Sequence, residues 1–136
     1  MNTHNDIYDR LRRCWSADTS SDPDHWEQAN PAWGQCTVTA CLVQDILGGD
    51  ILWTMAICPD GREYSHYFNK LPKGVVFDAT RQQFPRGTIF VPDGGIPRTQ
   101  SGSGKESGNT REYVLSYQAT LDRYVRLQQR FQSLSD

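Results

Sequence analysis

Apolar positions near the start of the chain recur at helical spacing. Ile7, Leu11 and Cys14 or Trp15 fall on one face of "NDIYDRLRRCW", and Thr3 or Asn5 stands where a cap belongs. The pattern predicts a short N-terminal helix. Periodicity then disappears across "SADTSSDPDHWEQANPAW", which is rich in Pro, Asp, Ser and Asn. This reads as a loop, packed down by Trp26 and Trp33. Helical spacing returns at about Cys36 and runs to Leu47 through Val38, Cys41, Leu42 and Ile46, and Gly48-Gly49 supplies a left-handed stop.

From Asp50 the period changes. "DILWTMAIC" is a mostly apolar run closed by the turn signal Pro59-Asp60-Gly61. "REYSHYFNKL" alternates, with Tyr64, His66 and Phe68 on one face and Ser65, Tyr67 and Asn69 on the other. Pro72-Lys73-Gly74 then turns the chain into "VVFDAT", a third strand with Val76, Asp78 and Thr80 on one face. Two tight turns make these runs an antiparallel meander. "RGTIFVPDGG" adds a short strand, and "PRTQSGSGKESGN" reads as an exposed, mobile loop. A final amphipathic helix starts near Asn109 or Thr110, where Asn109 and Glu112 resemble a capping box. Its stripe of Val114, Tyr117, Leu121, Tyr124, Val125, Gln128 and Phe131 reads as a core face. The expected fold is α+β: a cysteine-bearing helix packed on an antiparallel β-meander, plus a C-terminal amphipathic helix, in a single domain over residues 1–136.

Composition excludes several function classes. The 136 residues are 37% hydrophobic and 11% aromatic, enough for a modest core. A net charge of -2 provides no strong field, so neither a nucleic-acid nor a membrane partner is expected. No apolar run approaches the ~18 residues of a membrane span. The polar start "MNTHNDIYDRLRRCW" lacks the apolar stretch of a signal peptide, so the expected location is the cytoplasm. The four cysteines, Cys14, Cys36, Cys41 and Cys58, then read as reduced thiols. They contain no C-x-x-C pair, so a structural zinc is not expected, and no cofactor is expected either.

Cys36 differs from the other three by its place at the start of a helix, where free N–H groups and the helix dipole favour a thiolate. His66 lies on the second strand of the meander and Asp78 on the third. A hairpin closed around residues 72 and 73 pairs position 66 with about position 79, next to Asp78. An imidazolium beside the thiol lowers its pKa, and a carboxylate on the second ring nitrogen fixes the tautomer and stabilises the charged ring. Cys14, Cys41 and Cys58 read as core, His25 as surface, and Thr80 and Gln83 as structural.

"GQC" followed by Val38 and Ala40 resembles the G-Q-C-x-V-x-A segment of transglutaminases. "HYF" resembles their His-x-Trp strand, with Phe68 in the aromatic place. "GVVFDAT" resembles their Asp-Pro-Thr segment, with Ala79 in place of proline. The whole pattern, "NPAWGQC…SHYFN…FDATRQQF", is also similar to a small bacterial family labelled YunG. The resemblance implies a papain-like/transglutaminase-like core with Cys36 as nucleophile, His66 as base and Asp78 as orienter. The backbone N–H of Cys36 is the first candidate for holding the oxyanion. Gln35 is a side-chain candidate, as is Asn30, at the distance where papain-like enzymes carry a glutamine. The function expected is a cysteine hydrolase or acyltransferase. It would act on an amide or ester of a peptide, protein or small amide substrate, through a thioester on Cys36. The alternative is a non-catalytic module that binds a peptide or protein on the same scaffold.

Overall fold

The computed structural model describes residues 3–99, 102–103 and 109–134. Helix α1 spans Thr3–Cys14 and buries Ile7, Leu11 and Cys14, with Trp15 packed just beyond its end. Thr3 and Asn5 lie within the span of this helix. The loop that follows is held down by its indoles. Trp26 Nε1 donates to Pro31 O and Trp33 Nε1 to Asp22 Oδ2, both at 3.0 Å.

Helix α2 runs from Cys36 to Leu47, the span its apolar spacing predicts, and buries Cys36, Val38, Thr39, Ala40, Cys41, Leu42 and Val43. Its exit depends on Gly49, at φ +83. A Cβ there would lie 2.3 Å from Lys70 O and 2.8 Å from Leu71 Cα, so only glycine lets the chain pass this close. Strands β1 (Asp50–Ile57), β2 (Glu63–Lys70), β3 (Val76–Phe77) and β4 (Ile89–Ile96) follow. They form one antiparallel sheet in the order β3-β2-β1-β4. Helix α2 packs on β2. Asn69 Nδ2, fully buried, donates to Ala40 O at 2.9 Å across that contact.

The third strand is shorter than its alternating pattern suggests. Only Val76 and Phe77 pair with β2, and Asp78, Ala79 and Thr80 lie beyond the ladder. Asn69 faces Phe77 and Lys70 faces Val76, a register one residue away from a hairpin closed at 72 and 73. β4 is a full eight residues and pairs with β1, on the opposite edge of the sheet from β3.

The segment read as a mobile loop contains a small ladder, β5 (Arg98–Thr99) against β6 (Gly102–Ser103). Residues 100–101 and 104–108 of that segment lie outside the described residues.

The C-terminal helix is two helices. Asn109 caps α3 (Thr110–Leu115), its side chain accepting from the Glu112 N–H at 3.3 Å. Tyr117 is extended, and α4 runs over Gln118–Ser133. The break shifts the phase of the apolar stripe. Tyr124, Leu127 and Phe131 are buried, while Tyr117 and Val125 are 55% and 38% exposed. α4 packs on α2, and α1 packs on α4. Arg111 ties α3 to the end of α2, donating to Cys41 O at 2.9 Å and bridging to Asp45 at 2.8 Å.

This shift in phase has a measurable consequence. Leu127→Ala should cost about 2–5 kcal/mol in urea denaturation, the range for truncating a fully buried leucine. Val125→Ala should cost less than about 0.5 kcal/mol, as at other surface positions. Equal losses at the two positions would mean that α4 is rotated from the orientation described.

Candidate active site

Two constraints fix where α2 begins. Gly34 sits at φ +74, and a Cβ there would meet Ser20 Oγ at 2.2 Å. Its N–H donates to Gln83 Oε1 at 3.1 Å, and its carbonyl accepts the Ser21 N–H at 2.9 Å. The residue two before the cysteine is thereby held from both sides. Gln35 is the N-cap and no side chain caps the helix. The first-turn N–H groups therefore remain available beside Cys36.

The sheet supplies the other half of the site. Leu71 N–H donates to Val75 O, so the backbone groups of residue 71 face the β3 edge. By the period of two, those of 69, 67 and 65 face it as well. β3 covers only Asn69 and Lys70, which leaves the edge at Ser65 and Tyr67 without a strand partner. The Cys36 sulfur fills this gap. Its thiol lies 4.0 Å from Ser65 O and 3.9 Å from Thr37 Oγ1, and the Tyr67 backbone N–H donates to it.

His66 stands between those two residues and is fully buried. Its Nε2 N–H donates to both carboxylate oxygens of Asp78, at 2.8 and 2.9 Å. Its Nδ1 is buried and has no partner other than the Cys36 thiol. With Nε2 occupied, Nδ1 is the nitrogen left to act on the Cys36 thiol. Phe84, Phe90 and Phe68 surround the ring at centroid distances of 5.1, 5.6 and 6.1 Å. Arg81 reaches Asp78 from the solvent side at 3.9 Å.

The electrostatics follow from this packing. Burial alone would raise the Cys36 thiol. Hydrogen bonding to His66, the imidazolium charge, the Tyr67 N–H and the Thr37 hydroxyl together outweigh burial and hold it below its ordinary value. Desolvation works to lower His66, but hydrogen bonds and charge from Asp78 and Cys36 push it up to about 9. Both shifts favour the charged forms, a thiolate and an imidazolium. The other thiols contrast with it: burial pushes Cys41 up to about 12 and also raises Cys14. Burial likewise raises the Tyr67 phenol, which stays a neutral hydroxyl beside the sulfur.

The structure thus brings Cys36, His66 and Asp78 together. It turns the side chains of the two oxyanion candidates elsewhere. Gln35 Nε2 donates to Ser16 O at 2.9 Å, and Asn30 Nδ2 donates to Gln83 O at 3.0 Å. The Cys36 backbone N–H, at the uncapped helix start, remains in place for that role. His25 is exposed and paired with Asp22. Among the described residues no three His, Cys, Asp or Glu side chains gather in a metal-binding arrangement.

Three residues around the sulfur were not singled out from sequence: Thr37, Ser65 and Tyr67. The signal for the last two was available, because neighbours of a strand histidine present their backbone at one edge. Gln83 was read as structural. It has that role, and through Gly34 and Asn30 it also positions the nucleophile loop. Thr37, Ser65 and Tyr67 all line a cleft of about 270 Å³, which lies on the far side of these three residues from the buried sulfur.

A YunG protein family model matches residues 3–134 of the chain. The relative named "Uncharacterized protein YunG", from Bacillus subtilis (strain 168), is 39% identical over 74 residues. Those residues are 54% of this chain and 56% of the relative, so the match spans little more than half the length of either. No solved structure matches the chain.

The contrast among the thiols is measurable. Cys36 should alkylate with iodoacetamide at a lower pH than an ordinary thiol, whose pKa is about 8.5, while Cys14 and Cys41 stay inert in the folded protein. His66→Ala should move the Cys36 profile up to the ordinary range, and Asp78→Asn should move it part of the way. Alkylation rate against pH, followed at each cysteine by mass spectrometry, checks this. Superimposable profiles for the three proteins would show that neither residue acts on the thiol.

Proposed function

We propose that this chain, which belongs to the YunG protein family, is a cysteine hydrolase or acyltransferase working on an amide or ester through Cys36, His66 and Asp78. One observation carries the reading: His66 Nε2 is taken by Asp78, and the buried Nδ1 has no hydrogen-bond partner apart from the Cys36 thiol. A buried polar atom left without a partner costs about 1–3 kcal/mol, so a ring nitrogen turned to a lone thiol serves a purpose. Here the purpose is to exchange a proton with the thiol.

In this mechanism His66 Nδ1 takes the proton of Cys36, and Asp78 stabilises the imidazolium without taking a proton itself. The thiolate attacks the acyl carbon, and the oxygen that becomes negative meets the N–H groups at the start of α2. The carbon–nitrogen or carbon–oxygen bond breaks as the imidazolium gives its proton to the leaving amine or alcohol. The acyl group remains on Cys36 as a thioester. Water or an amine then attacks, His66 accepts the attacking group's proton, and the thiolate leaves. The order of cysteine helix, histidine strand and aspartate fits the papain-like/transglutaminase-like arrangement that "GQC", "HYF" and "FDAT" resemble. We read the α+β fold as a small version of that core.

The test uses p-nitrophenyl acetate as ester and an N-acyl p-nitroanilide as amide. The expected result is an acyl adduct on Cys36 by mass spectrometry, absent in Cys36→Ala. The rate should be bell-shaped in pH. The acid limb falls below the ordinary thiol range because Cys36 is lowered. The alkaline limb falls near pH 9, because His66 loses its proton as pH rises through about 9 and can no longer protonate the leaving group. Asp78→Asn costs about 10⁴ in a serine triad, and a loss of about tenfold or more is expected here. Adducts as frequent in Cys36→Ala as in wild type would refute the reading. Binding of either reagent without an adduct would favour the non-catalytic module.

A further inference from the structure

We propose that the cleft beside Cys36 recognises an anionic substrate, whose carboxylate is met by the guanidinium groups of Arg98 and Arg123. This specifies the substrate class for the nucleophile proposed above and rests on that reading.

Both arginines line the cleft that Thr37, Ser65 and Tyr67 line next to the sulfur, and no acidic side chain lines it among the described residues. Five other arginines are each paired with an aspartate. Arg62 pairs with Asp60, Arg81 with Asp78, Arg111 with Asp45, and Arg126 and Arg130 with Asp18. Arg98 and Arg123 make no such pair among the described residues. Both guanidinium groups at the cleft are therefore left without a carboxylate among the described residues.

Each is held in place by neutral groups. Arg98 lies over the Trp53 ring, 4.7 Å from its centroid, and its Nη1 donates to Ser65 Oγ at 3.2 Å. It is thus anchored on a residue whose carbonyl touches the Cys36 sulfur. Arg123 Nη2 donates to Thr120 Oγ1 at 3.2 Å, while its Nε is buried without a partner. Burial and the nearby Arg126 charge both work against the Arg123 cation, and the charge of Cys36 favours it. Once the thiolate is acylated that charge is gone, and a substrate carboxylate would take its place.

A guanidinium that keeps unused donors in a half-buried cleft suits a carboxylate, which accepts paired N–H bonds. The volume of about 270 Å³ is small against the roughly 300–1,000 Å³ of drug-sized sites. It has room for a single residue-sized group. Tyr113 and Tyr117, edge to face at 5.7 Å, form an aromatic wall for the rest of that group. The substrate class is an amide or ester that carries a carboxylate close to the scissile bond.

Iodoacetate and iodoacetamide test this without a known substrate. They deliver the same carbon to the sulfur and differ in charge. The ratio of their rates at Cys36, divided by the same ratio for glutathione, cancels the amount of thiolate. It should exceed unity by about tenfold or more in low salt, the size of a hydrogen bond to a charged group. It should fall as salt is added. Arg98→Gln and Arg123→Gln should each lower it, and the double variant should bring it near one. A wild-type ratio no higher than that of glutathione, or a ratio unchanged in the double variant, would overturn the proposal.

Failure of the nucleophile reading looks different: Cys36 would then react with both reagents at the rate and pH of an ordinary thiol. The anion site is read separately by titrating Cys36→Ala with N-acetylglycine and N-acetylglycinamide, following the Nε–H resonances of the two arginines. Saturable shifts with the carboxylate alone are expected, and no shift with either would overturn the anion site.

Discussion

β3 ends after Phe77, and the edge of β2 at Ser65 and Tyr67 has to find its partners elsewhere. The rest of the site depends on that early ending. It leaves an N–H and a carbonyl pointing into the space where the Cys36 sulfur sits. It also releases Asp78 from the ladder, so that the carboxylate can turn to His66 Nε2. A β3 longer by four residues would pair the edge, displace the sulfur and commit Asp78 to the pleat. One shortened strand therefore provides both the slot for the thiol and the freedom of the acid.

Assembling such a pair in the interior is expensive, since every ion removed from water loses its hydration. The cost is met by direct contacts rather than by solvent. His66 lies among three phenylalanines, with Asp78 and the Cys36 thiol as its hydrogen-bond partners. The thiol has a backbone donor and a hydroxyl besides the imidazole. The flanking loops are fastened to each other. Gln83 accepts from Gly34, donates to Thr80 O, and its own carbonyl accepts from Asn30. The segment before the nucleophile and the segment after the acid thus share one glutamine and cannot drift independently.

Much of this was legible along the chain, and what was not has physical causes. α2 was readable at both ends because a glycine stop and an apolar period coincide at 36–47. The alternation of β2 placed His66 and Phe68 on one face because it depends only on the pleat. β3 misled because "VVFDAT" keeps a period of two after its hydrogen bonds have stopped. The break between α3 and α4 carries neither Gly nor Pro. Ser116 and Tyr117 continue a helical pattern, so Leu127 was missed from the buried stripe and Val125 was included. Gln35 and Asn30 lie near the nucleophile in sequence, but sequence proximity does not say which way an amide turns. Arg98 and Arg123 sit on different elements, and only the folded chain brings them to one cleft.

The four thiols are distributed in a useful way. Cys14 closes α1, Cys41 lies in the middle of α2, and Cys58 follows β1 at the hairpin turn, all three buried. Each becomes accessible only when its own element opens, so a slow thiol reagent would time three separate opening events in one molecule. The protein carries built-in clocks for the N-terminal helix, the central helix and the hairpin. The order in which those clocks run would show whether the segments that hold the site loosen together or one after another.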